Sequence, residues 1–352
     1  MSDYDNENMF GLTQTQLNIM CSIERGITEL DIEQDEKHMP NKCRWLDRWC
    51  EILSKTQSVE FLAKDELKEV IASELDKNIN HTWFYLVMLE ATLFRPYIPL
   101  SGEKEEARLF KNLKFTPQEE FLKQICRDSG ALDEVYIERF RKTYKQAYRK
   151  ASGKNGKIAL MATIVLAVSA TVAAVAGALA GPIAVAVFGP NFVGLHGIAL
   201  TSACLAMAGG GAIAIGGAGM AGGVVAIVGG GALLGAAAGG AAVSLARVVT
   251  KSNPAFALSQ AAKIEVVLRE VLLNIQQDTQ KAQMVMDQLK GQIHSLQTEL
   301  EDLKLDQTDE KKQIANLKKS IDYLKRAYGD MSVFKSSYET GIEAEAVYDP
   351  ED

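Results

Sequence analysis

Between Ile158 and Ala246 the 352-residue chain lacks Asp, Glu, Lys and Arg for 89 consecutive residues. A single globular core does not require so long a gap, because apolar faces ordinarily alternate with charged ones. Histidine is scarce as well, with four in all, and His196 in "NFVGLHGIAL" is the only ionisable side chain in the gap besides Cys204. The five cysteines (Cys21, Cys43, Cys50, Cys126, Cys204) are odd in number and irregularly spaced, which excludes a disulfide framework. Cys43 and Cys50 with His38 fit no zinc spacing. The acidic, polar opening lacks the basic start and apolar run of a signal peptide, so a reducing, cytosol-facing chain with free thiols is expected. Neither a nucleophile–base pair nor a carboxylate dyad stands out, and no enzyme activity and no cofactor are expected. With a net charge of −7 the chain has no dominant basic surface, which argues against nucleic acid as a partner.

What fills the gap is glycine and alanine. Nineteen of the 28 glycines fall there, and "AIAIGGAGMAGGVVAIVGGG" contains a Gly-x-Gly-x-x-Gly spacing at Gly217, Gly219 and Gly222. A dinucleotide turn would need a carboxylate about 20 residues further on, and the first is Glu265. Neither Lys-Ser nor Lys-Thr follows the glycines, so a phosphate loop fails too. Small residues at four-residue spacing suit close helix–helix approach in lipid instead. The packing candidates are Gly216, Gly217, Gly219, Gly222, Gly223, Gly229, Gly230, Gly231, Gly235 and Gly239.

A bilayer core of ~30 Å takes about 20 helical residues, so the block predicts two to four transmembrane helices, with "IALMATIVLAVSATVAAVAGALA" the clearest. The flanks are basic: Arg149, Lys150, Lys154 and Lys157 before it, Arg247 and Lys251 after it. Positive flanks stay cytoplasmic. A multi-pass membrane protein with both termini cytoplasmic is therefore expected, with the lipid bilayer as partner. His196 is either an intramembrane ionisable group or part of a non-cytoplasmic loop.

The charged remainder reads as helical, which makes the fold class all-α: a helical N-terminal region over 1–150, Gly/Ala-rich hairpins over 151–250, a coiled coil over 255–330 and an acidic tail over 331–352. "TQTQLNIMCSIERGITEL" places Leu17, Ile19, Met20, Ile23, Ile27 and Leu30 near a 3.6-residue period. "DELKEVIASELDKNINHTWFYLVMLEATLF" reads as one further periodic run. "TPQEEFLKQI" predicts a helix with Thr116 as N-cap and Pro117 at its first position, and "VYIERFRKTYKQAYRK" a fourth. Trp45, Trp49, Trp83 and Phe84 are expected in the core of this region. From Leu268 to Tyr328 apolar residues recur in alternating steps of three and four. The seam contains Leu289, Ile293, Leu296, Leu300, Leu303, Ile314, Leu317, Ile321 and Leu324, with polar lapses at Thr279, Gln307 and Glu310. Such a stripe needs a partner helix. It is either continuous and paired with another copy or a further part of the chain, or folded back at "LDQTDEKK".

The glycine-rich block resembles that of the small interferon-inducible membrane proteins. The wider layout of helical region, apolar hairpins and long coiled helix is similar to α-helical pore-forming toxins. Both resemblances imply a membrane-inserting protein that self-associates, as a homo-oligomer through the coiled coil and the glycine-rich helices, and permeabilises a bilayer. The competing expectation is an anchor that presents its helical domain and coiled coil to a helical protein partner.

Overall fold

Thr13 opens the first helix with a reciprocal cap. Its hydroxyl accepts the Gln16 amide at 3.3 Å, and the Gln16 side-chain oxygen accepts the Thr13 N–H at 3.0 Å. Two of the orphan donors at a helix start are thereby satisfied. The computed structural model describes residues 12–57, 59–78, 80–97, 108–110, 112–153, 254–305 and 311–341. They form an all-helical protein: α1 (Gln14–Glu33), α2 (Met39–Gln57), α3 (Lys64–Lys77), α4 (Thr82–Leu93), α5 (Glu119–Ser129), α6 (Val135–Ser152), α7 (Pro254–Val266), a π-helical segment (Val267–Ile275), α8 (Thr279–Leu305) and α9 (Lys311–Thr340).

In the N-terminal part α1 packs against α2, α3 and α4. Ile19, Ile23 and Ile27 are fully buried. Trp45 stacks on Trp49 with ring centroids 5.8 Å apart, and Phe94 and Tyr97 close around the pair. Trp83 and Phe84 are buried on α4, as the sequence predicts. The run from 65 to 94 is not one helix. Asn78 is extended and its side-chain amide donates to the Glu74 carbonyl at 2.9 Å, which ends α3 before α4 begins. Thr116 is not an N-cap either: its N–H is drawn to the buried Asp31 carboxylate at 2.8 Å, and α5 starts three residues later.

The C-terminal seam closes within the chain. α8 and α9 fold back on each other, with Leu289, Ile293, Leu296, Leu300, Leu317, Ile321 and Leu324 buried and Leu303 and Ile314 half-buried, while Gln307 and Glu310 lie outside the described residues. The lapse at Thr279 coincides with a break: Gln277 has φ 54, and the Asp278 carboxylate accepts the Lys281 N–H at 2.8 Å to start α8. Because the seam is filled internally, Ile293→Val is expected to cost about 1 kcal/mol. The cost should be the same at every protein concentration in thermal melts; a melting point that rises with concentration would place the seam between copies.

No helix among the described residues is long and apolar enough to cross a membrane. That finding overturns the expected multi-pass placement with both termini cytoplasmic, and with it the membrane, transmembrane and pore-forming description. The physical reason lies in how the described helices use their apolar residues, which go into packing on one another. α6, for example, buries only one stripe (Ile137, Phe140, Tyr144, Ala147, Tyr148, Ala151) and exposes charge on the other. The glycines from Gly216 to Gly239, His196, Lys154, Lys157, Arg247 and Lys251 lie outside the described residues.

Candidate functional site

The two helices that bracket the uncharged block form the most extensive pairing in the described structure. α6 arrives at the block and α7 leaves it. Ala147 and Ala151 on α6 and Ala257, Ala261 and Ala262 on α7 are wholly buried, and their small side chains let the two backbones come close. Polar bonds then fix the pair. The Tyr144 and Ser259 hydroxyls meet at 3.1 Å. Thr143 donates to Glu270 at 2.6 Å and Arg139 reaches the same carboxylate at 2.8 Å. Since 139 and 143 face 270 while 144 faces 259, the helices run antiparallel, and the end of α6 lies beside the start of α7.

The exit is capped. Arg326 on α9 donates from Nη1 to the Ala151 carbonyl at 3.2 Å, placing a cation where a helix C-terminus presents partial negative charge. Gly153 turns the chain with φ 75, and a Cβ there would stand 2.7 Å from Arg326 Nη1. Gly153→Ala is thus expected to lower stability by about 1–3 kcal/mol. Adding Arg326→Ala should relieve the clash and leave the backbone strain, so the double variant loses less than the two single losses summed. Urea titration checks it.

A second feature ties this clamp to the N-terminal helices. Lys263 on α7 pairs with Glu90 on α4, both largely buried. Near them Glu24 of α1 is buried, and burial pushes its carboxyl up to about 8, helped by the neighbouring Glu90 charge and opposed by Lys263. Glu24 is therefore mostly protonated at neutral pH. On the far side of α7, Glu265 binds Arg269 at 3.1 Å while the guanidinium lies 4.4 Å from the Phe334 ring. Burial raises Glu265 as well.

The other polar cluster is structural. Asp31 and Lys42 meet at 2.6 Å with both side chains almost fully buried, and Tyr97 and Thr116 fill the remaining acceptor positions of the carboxylate. Burial and the bond to Asp31 hold the Tyr97 hydroxyl far above its ordinary range. Three thiols are held away from the reactive thiolate form: burial raises Cys21, takes Cys50 to about 11 and takes Cys126 to about 12. Among the described residues no three His, Cys, Asp or Glu side chains converge on a metal position. His38 Nδ1 lies 2.9 Å from Asp35.

Of the basic flank, Arg149 and Lys150 stand exposed at the end of α6. Lys263, further along, is a largely buried ion-pair partner. Sequence reasoning missed Glu24, Glu90 and Glu270. For Glu24 a signal exists: it falls on the same face as Met20 and Ile27, four residues after the one and three before the other. The chain matches no known protein family, no characterised protein and no solved structure, so the two resemblances rest on composition and layout alone.

Proposed function

We propose that this is a non-enzymatic helical protein that assembles through its uncharged Ala/Gly-rich segment, with the helical bundle clamping that segment by both ends and carried on the resulting assembly. The observation behind the reading is the α6–α7 clamp. It brings the end of α6 and the start of α7, the described residues nearest the segment in sequence, together on one continuous core. On this reading the described bundle folds without the segment. Its four-residue glycine spacings (Gly219 to Gly223, Gly231 to Gly235, Gly235 to Gly239) suit close packing between copies, and a large charge-free surface favours association over exposure.

The test compares the full chain with a version in which residues 158–246 are replaced by a short Gly/Ser linker. The replacement should keep the helical circular dichroism and a cooperative melt. The full chain should be oligomeric by light scattering and the replacement monomeric. Unfolding of the replacement, or a monomeric full chain, overturns the reading. So does dye release from phosphatidylcholine vesicles by the full chain alone, because that result would assign the segment to acyl chains.

A further inference from the structure

α6 turns a basic face to solvent. Ile137, Phe140, Tyr144, Ala147 and Tyr148 point inward, which turns Lys142, Lys145, Arg149 and Lys150 to solvent. The other two arginines of the helix are engaged, Arg139 with Glu270 and Arg141 with Glu119. Lys145, Arg149 and Lys150 make no salt bridge among the described residues. Glu138 stands one turn before Lys142 on this side of α6, and beyond it the helix carries no further acid, so Lys145, Arg149 and Lys150 repel one another.

α9 supplies the counter-charge. It packs on α6, with Arg326 on the Ala151 carbonyl, and leads through Gly341 into "IEAEAVYDPED". Those eleven residues carry Glu343, Glu345, Asp349, Glu351 and Asp352 and no base. We infer that this acidic C-terminal segment docks on the Lys145–Arg149–Lys150 face of α6 and neutralises it. Geometry allows it. Thr340 lies 14 residues beyond Arg326, or roughly 21 Å along a helix. Eleven extended residues reach about 36 Å, enough to return to the end of α6. Carboxylates two residues apart, as at Glu343 and Glu345, suit lysine and arginine at neighbouring positions of one helix face, and their attraction is screened by salt.

Zero-length carbodiimide coupling of the full chain, read by peptide mass spectrometry, tests this. Amide links are expected between the tail carboxylates and Lys142, Lys145 or Lys150, and they should fall about tenfold in 1 M NaCl, where the screening length drops to ~3 Å. Lys145→Glu with Arg149→Glu should remove the links to Lys142 and Lys150. Adding Glu343→Lys and Glu345→Lys should restore coupling, now between the new lysines and the new glutamates. A mixture of isotopically light and heavy chains separates links within a chain from links between copies. Tail links confined to Lys318, Lys319 or Lys325 of α9, links only between copies, or no tail link at all would each overturn the assignment. Because the face and the tail both lie outside residues 158–246, the linker-replaced chain should give the same links whether or not the full chain assembles.

Discussion

Lys42→Met is expected to lower the unfolding free energy by about 3–5 kcal/mol, the cost of stranding a buried charge. Lys42 is 1% exposed and Asp31 2%, so neither can turn to water. The ammonium lies 2.6 Å from Asp31 and 3.1 Å from Asp35, and 5.0 Å from the centre of the Tyr97 ring. Removing it leaves the Asp31 carboxylate with only the Tyr97 hydroxyl and the Thr116 amide. Two hydrogen bonds stabilise an anion less than the same two with a cation. The double variant Lys42→Met/Asp31→Asn removes both charges and should recover part of the loss, giving a coupling of about 1–3 kcal/mol in a double-mutant cycle. Urea titrations of the four proteins supply the cycle. Strict additivity would show that Asp31 is satisfied without Lys42.

Above pH 8, Glu24→Gln is expected to be more stable than the natural chain by about 2–4 kcal/mol. The sign follows from where the proton sits. The folded carboxyl titrates at about 8 against an ordinary value of 4.5, chiefly because burial penalises the anion. Between those values the folded chain holds a proton that the unfolded chain has released. Stability therefore falls with rising pH, by up to roughly 1.4 kcal/mol per unit, and levels off above the folded value. Below the unfolded value both states are protonated and the contribution is fully present. Glutamine imitates the protonated form at every pH. The difference in melting temperature between the two proteins should be small at pH 5 and reach about 5–10 °C at pH 8.5. Equal pH profiles would place Glu24 in contact with water. The effect bears on the clamp, because Lys263 belongs to α7 and the ionised Glu24 competes with Glu90 for it.

Periodicity made the helices legible. The stripes of α1, α6 and the α8–α9 seam follow directly from apolar spacing. The all-α class follows from them, and the fold-back at the polar lapse was one of the two expected outcomes. What periodicity could not show is what a polar side chain does at a distance. Thr116 has a helix-starting neighbourhood, but Asp31, 85 residues earlier, takes its amide. Asn78 and Asn80 interrupt a run whose apolar spacing continues across them. Lys263 could not be read as a pairing residue, because charge in a sequence carries no information on pairing and its partner Glu90 is 173 residues away. The clamp is of the same kind: nothing local in "VYIERFRKTYKQAYRK" or "PAFALSQAAKIEV" states that they meet.

From Val267 to Ile275 the backbone is wound more loosely than an α-helix, and at its end the Gln276 N–H reaches back five residues to Val271 at 3.0 Å. A coil of this kind turns through less angle per residue, so it stores surplus chain between α7 and the hairpin. Deleting one residue there would let it tighten into ordinary winding. The deletion would also pull on Gln276–Asp278, where α8 starts, and so shift the α8–α9 hairpin against α6 and α7 while its own seam stays closed. The nine loosely wound residues thus set where along the bundle the C-terminal arm begins.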